Sequence, residues 1–317
     1  MKEDTRHLKF TRATLCLAVL TFASTGHAQS QDNEHDETDE KRFSAEVSAG
    51  LEYSSNVSID ELDVVSDTSD IAALLGFELG YELDITSKTS FDIEYSFSQT
   101  IHEELDQFNL LTHFGRANLS QDLGRVGVGL SYRYLDASLD GPESMNYRQA
   151  APYLTALFGK TIFVRAEYGH ADKEFDVDLG RDAEVESFGT DWFYFLGSPR
   201  NYFLVGYRND QHDAISTEYV YEQDNFKLHF VKRFDVFGRP GKLNVGLRYE
   251  TRDYEFITAS IGVPREEERL KFRLSLELPF TDHVGTIFKY EVRDIESNLP
   301  EANRSEQVGS IKFVANF

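Results

Sequence analysis

Val308-Gly309-Ser310-Ile311-Lys312-Phe313-Val314-Ala315-Asn316-Phe317 is the stretch from which the fold is read. From Gly309 its odd positions are Gly309, Ile311, Phe313, Ala315 and Phe317, and its even ones are Ser310, Lys312, Val314 and Asn316. A period of two with one apolar and one mostly polar face is the pattern of a β-strand lying between two unlike surroundings. The same alternation recurs upstream. Phe43, Ala45, Val47, Ala49, Leu51 and Tyr53 alternate with Ser44, Glu46, Ser48, Gly50 and Glu52. Leu75, Phe77, Leu79 and Tyr81 alternate with Glu78, Gly80 and Glu82, and Phe91, Ile93, Tyr95 and Phe97 with Asp92, Glu94, Ser96 and Ser98. Short turns alternate with longer acidic connections, which predicts a meander of antiparallel hairpins.

The aromatic end of this strand resembles the C-terminal assembly signal of Gram-negative outer-membrane β-barrels, in which Ile311, Phe313 and Phe317 would form the outward face. That resemblance implies an all-β, transmembrane, antiparallel up-and-down barrel that meets outer-membrane lipid and lipopolysaccharide and is inserted by the barrel assembly machinery. The other end of the sequence agrees. Lys2, Arg6, Lys9 and Arg12 precede an apolar run from Ala13 to Ala23 and the small-residue stretch Gly26-His27-Ala28, the layout of a cleaved signal peptide over 1–28. Residues 29–42 read as a short, disordered acidic segment and 43–317 as the barrel.

Composition narrows function by exclusion. The formal charge is −23, and removing the four bases and two acids of the leader gives −25 for the mature chain, which excludes nucleic acid as a partner. The single cysteine, Cys16, lies in the leader, so the mature chain carries no disulfide, thiolate metal site or cysteine nucleophile. Mean hydropathy is −0.44, yet 25 Phe and 16 Tyr accompany only seven Pro. A barrel reconciles these values, because only alternate residues of each strand meet lipid.

A tyrosine ends one strand in each hairpin: Tyr53, Tyr95, Tyr132, Tyr168, Tyr207, Tyr249 and Tyr290, spaced by 42, 37, 36, 39, 42 and 41 residues. A unit of about forty residues recurring seven times fits an aromatic girdle at one membrane interface and about 14 strands, within a range of 12 to 16. An even count places both termini on one side, the periplasm. Long connections are expected near 54–70, 101–108, 135–147, 170–184, 209–224, 252–267 and 294–307. Two strands are ambiguous. His113, Arg116 and Asn118 contest the lipid face of Phe108–Leu119, and Ala150-Ala151-Pro152 suits a loop edge better than mid-strand.

The face opposite the apolar one names the expected lumen residues. Glu46, Glu52, Glu78, Glu82, Asp92 and Glu94 come from the first three strands. Arg133, Arg165, Arg208, Arg248, Lys271, Arg273, Lys289 and Arg293 come from later ones. Charge of opposite sign on two sides of a barrel predicts cross-strand ion pairs, a transverse field across a water-filled constriction, or both. Inward glycines (Gly127, Gly129, Gly246, Gly285) are expected to leave room for water. The function expected is a passive, porin-like diffusion channel for small charged or zwitterionic solutes. No cofactor motif, metal-ligand spacing or catalytic constellation is read. His212-Asp213, expected in a loop, superficially resembles the His and Asp pairs of outer-membrane proteases but finds no second acidic pair. Finally, Tyr53-Ser54-Ser55-Asn56-Val57 resembles the Tyr-x-Ser-Asn-Val segment of the barrel domain of surface lipoprotein assembly modifiers. That resemblance implies a second expectation, a stand-alone barrel related to lipoprotein translocators. A plugged structural barrel is a third.

Overall fold

The computed structural model describes residues 42–59, 64–140 and 144–317. The expected leader (1–28), nearly all of the acidic segment (29–42) and the first-loop acids Asp60, Glu61 and Asp63 lie outside the described residues.

Fourteen strands close into one barrel. They are β1 (Arg42–Ser54), β2 (Asp70–Thr86), β3 (Thr89–His102), β4 (Leu110–Asp122), β5 (Val126–Leu139), β6 (Ser144–Phe158) and β7 (Ile162–Phe175). Then come β8 (Ala183–Phe195), β9 (Tyr202–Ala214), β10 (Tyr221–Val236), β11 (Arg239–Thr258), β12 (Val263–Pro279), β13 (Val284–Ser297) and β14 (Arg304–Asn316). Every neighbour in sequence is a neighbour in the sheet, and β14 returns to β1 from Ser54↔Val308 down to Glu46↔Asn316. Phe317 extends the seam, exchanging backbone hydrogen bonds with Ala45 at 2.8 and 3.2 Å. Closure pairs both edges that a soluble sheet would have to protect. Among the described residues no helix is long and apolar enough to cross a membrane, which says nothing about crossing by strands.

Outward positions form the apolar belt. Phe43, Val47, Leu51, Ile93, Leu130, Leu154, Trp192, Val205, Leu228, Phe288 and Phe313 are all exposed on that face. The seven girdle tyrosines all point outward on odd-numbered strands, near the rim that carries the longer connections.

The strands are longer than the sequence suggests, from 13 to 20 residues. A tilted transmembrane strand needs only about 9–11 residues. Most of the expected long loops are therefore strand. The connection expected over 135–147 shrinks to 140–143, 209–224 to 215–220, and 252–267 to 259–262. The acids that made those stretches look like loops sit instead on the outward face above the tyrosines. Asp172, Glu174, Glu184, Glu186, Asp213, Glu222, Asp253, Glu266, Glu268 and Glu296 are exposed there. Charge on the lipid face of a barrel is destabilising at depth and tolerated near the interface, so this acidic band is expected to lie outside the hydrocarbon, above the tyrosines.

Both ambiguous strands resolve. In β4 the even positions turn inward, so Arg116 and Asn118 leave the lipid face to pair with Glu94 and Asp92 at 2.7 and 2.8 Å. His113 does face outward. It is sheltered by Tyr95, whose hydroxyl lies 2.8 Å from its Nδ1, and by the edge of Phe97. Pro152 is mid-strand on the outward face of β6, not at a loop edge. The ladder to β7 runs to Ala150↔His170, skips two residues and resumes at Tyr153↔Glu167 in the same register. A missing N–H costs those rungs and nothing more.

The first loop keeps its expected length. It holds a small ribbon, Ser58–Ile59 against Val64–Val65, and folds onto the inner wall. Val57 and Ile59 are buried, and Ser54 and Ser58 both donate to Glu306 of β14, at 2.6 and 2.7 Å.

The seam also makes a testable statement about assembly. Phe313 and Phe317 are exposed on the outward face, while Asn316 lies on the alternate one. Phe317→Asp should lower the yield of heat-modifiable barrel in membranes severalfold and Asn316→Asp much less. Equal losses would mean that the closing strand is placed one residue out of register.

Candidate functional site: the lumen wall

The alternation that turns apolar side chains to lipid brings every expected basic residue to the inner wall. There they meet carboxylates in clusters of three bases around one acid. Glu167 of β7 accepts from both terminal nitrogens of Arg133 (β5) at 3.0 and 3.1 Å and from Arg165 at 2.8 Å, with Arg208 (β9) at 3.5 Å. Glu291 of β13 holds Lys271 at 3.1 Å, Arg273 and Arg293, and Arg293 goes on to Glu306 at 3.1 Å. A third cluster was not legible in the sequence. Glu267 of β12, its side chain wholly buried, holds Arg265 and Arg269, with Arg252 at 3.9 Å. Arg252, Arg265 and Glu267 lay in what read as a loop, where alternation carries no meaning, and Arg269 just beyond it.

Opposite charges meet across strands because period-two neighbours on one face sit about 5 Å apart directly and within reach diagonally. Some pairs reach two strands away, and small residues make that possible. Lys227 of β10 reaches Asp191 of β8 at 2.8 Å across Gly206 of β9, where an added Cβ would collide with both side chains. Of the two expected bases that remain, Arg248 is paired and Lys289 is flanked by small polar residues. Arg248 bonds Glu250 at 3.2 Å. Lys289 lies beside Ser275 and Ser310 in the sheet.

The acids of β1–β3 lie on the inner face of the wall, and a base stands among them. Arg116 of β4 bridges Asp92 (3.6 Å) and Glu94 (2.7 Å). Glu46, Glu52, Glu78 and Glu82 line the same sector, all half-buried on the inner side. Lys312 of β14 packs over Gly50 of β1, on the strand that carries Glu46 and Glu52 on the same inner face. Charge of opposite sign thus meets at the closing seam.

Three of the four inward glycines are covered by neighbouring side chains rather than left open. The Tyr153 ring lies over Gly129, His229 over Gly246 and Thr155 over Gly127. Arg165 in turn stacks on Tyr153 at 3.6 Å. Toward the loop rim the inner wall of β5–β8 is apolar and closely packed, with Leu135, Ala137, Leu139, Met145, Phe175 and Val185 all buried. Sequence alternation had marked these positions only as the non-lipid face.

His212-Asp213 is not in a loop. Both residues belong to β9, so they point to opposite faces. His212 stacks inward on Tyr221 at 4.1 Å, and Asp213 is exposed outside. A strand places adjacent side chains on different sides of the sheet, so the two cannot act as a dyad.

Known proteins share this fold. A loop-deletion variant of OmpT, an outer membrane protein of Vibrio cholerae, superposes with a TM-score of 0.54 at 13% identity, covering 87% of this chain and 99% of that one. The same protein folded in vitro, in its trimer form, gives 0.53 at 13% identity over 89% of this chain and 100% of that one. This chain has the fold of an outer-membrane β-barrel. No family model and no curated protein sequence matches it.

Proposed function

We propose that the barrel is a passive, porin-like diffusion channel for small charged or zwitterionic solutes, with termini and short turns on the periplasmic side. The carrying observation is the state of three inner-wall arginines. Arg248, Arg273 and Arg293 keep 22%, 25% and 25% of their side-chain surface open. The lipid lies on the other side of the wall, so what reaches them is lumenal water. Arg133, at 4%, is sealed by comparison. A half-wet lining with acids on β1–β3 and bases on β10–β13 supports a path with a transverse field across it. On this reading the outward acidic band meets lipopolysaccharide, and the assembly machinery reads the strand ending in Phe317.

A second reading, a barrel plugged at its loop rim, draws on the first loop. The Tyr53–Val57 stretch turns the chain inward onto Glu306, and the wall beside β5–β8 is dry. Single-channel recording of the refolded protein in a planar bilayer separates the two. The channel reading expects discrete conductance steps from the intact barrel. A silent intact barrel that conducts once residues 56–68 are removed would establish the plug instead.

A further inference from the structure

The loop rim is uneven in a way that transport does not explain. On one side the loops bury their apolar residues: Val57 and Ile59 in the first loop, Phe108 in the second and Ala302 in the last. On the other side, over β7–β12, they expose them. Val177 and Leu179 follow β7, Ile215 follows β9, and Phe256, Ile257 and Val263 top the β11–β12 hairpin, at 41% to 74% exposure. Large apolar side chains grouped on a water-facing surface mark an interaction site.

These three loops form one supported platform. Ile215 and Ser216 donate their N–H groups to the carbonyls of Asp182 and Gly180 at 2.9 and 2.8 Å, joining the fourth loop to the fifth. Tyr219 donates its hydroxyl to Asp178 at 3.1 Å. Burial and that bond push the Tyr219 phenol up to about 12, so it remains a donor at physiological pH. The fifth loop joins the hairpin through Glu255 N–H to the Val220 carbonyl at 3.0 Å. Above Tyr254 and Glu266 the hairpin stands free of neighbouring strands, and its nine residues from Phe256 to Pro264 contain no charge.

The surroundings say what would cover this crest. Asp178, Glu184, Glu218, Glu255 and Glu266 are exposed around it, whereas Lys173, Arg181, Arg252 and Arg265 are turned in, all four over aromatic rings. We propose that the rim over β7–β12 is a docking surface for a protein partner that presents an apolar face bordered by basic side chains. A second copy of this chain would bring an equally acidic border and be repelled. Lipid is excluded by position, since the carboxylate band on the same strands lies between the tyrosines and the crest.

The test uses the full barrel in nanodiscs and two immobilised amphipathic helical peptides with the same leucine face, one bordered by lysines and the other by glutamates. The lysine-bordered peptide should bind, more weakly as salt rises. Combined Leu179→Ser, Ile215→Ser and Ile257→Ser should weaken it at least tenfold with heat-modifiable migration and conductance unchanged. Glu255→Gln with Glu266→Gln should weaken it severalfold, and this pair keeps the test sound if the triple variant does not fold. Equal binding of the glutamate-bordered peptide, binding unaffected by either variant, or self-association that the triple variant abolishes would each overturn the proposal.

Discussion

Glu167→Leu should cost the barrel about 3–5 kcal/mol, because it removes the anion from a buried cluster and leaves its cations behind. Arg133, 3% exposed, would keep only the Gln149 carbonyl at 2.5 Å. Arg165 would retain its stacking on Tyr153, and Arg208 its bond to Asp210 at 2.6 Å. The burden thus falls on Arg133. Glu167→Leu combined with Arg133→Met should recover much of the loss, since a buried ion pair replaced by apolar side chains is often neutral. The single tryptophan, Trp192, faces outward from β8 and reports insertion by its fluorescence. Urea unfolding in lipid vesicles followed at that residue measures both variants. A Glu167→Leu barrel as stable as the parent would show that water in the lumen screens the cluster and that the pairs hold little.

Changing Arg248, Arg273 and Arg293 together to Ser should move the reversal potential in a salt gradient strongly toward cations. The parent is expected to prefer anions weakly, or solutes carrying both signs, because its lining is nearly paired. Removing the three arginines deletes positive charge and also unmasks Glu250, Glu291 and Glu306, their partners at 3.2 Å or less. The large negative total charge should matter much less. Outward acids such as Glu184, Asp213 and Glu222 stand outside the wall, where salt screens beyond about 8 Å at physiological strength. If neutralising those three outward acids moves the potential as far as the arginine changes do, selectivity is set at the mouth and the lumen mechanism fails.

The outcome at particular residues shows where sequence reading succeeded. The lipid and lumen faces were legible wherever apolar and polar residues alternate cleanly, as in Phe43–Tyr53 and Ile311–Phe317. In β4 alternation was blurred, because His113 is outward and Arg116 inward, and only the sheltering of one by Tyr95 and Phe97 and the pairing of the other with Glu94 separates them. Acids on the strand ends beyond the tyrosines looked like loop residues, which hid Glu267 with Arg252 and Arg265.

By itself the sequence determined that this chain forms a closed barrel of about fourteen strands and which residues point to lipid, because period-two alternation is a local property that each strand carries alone. Tertiary structure decided which charges meet, how far the wall rises beyond the tyrosines, where the first loop goes, and that Gly127, Gly129 and Gly246 are covered by neighbours. Those outcomes depend on register between strands, which places Glu167 within reach of Arg133 and Arg208 from two strands away on either side. No single strand encodes that distance.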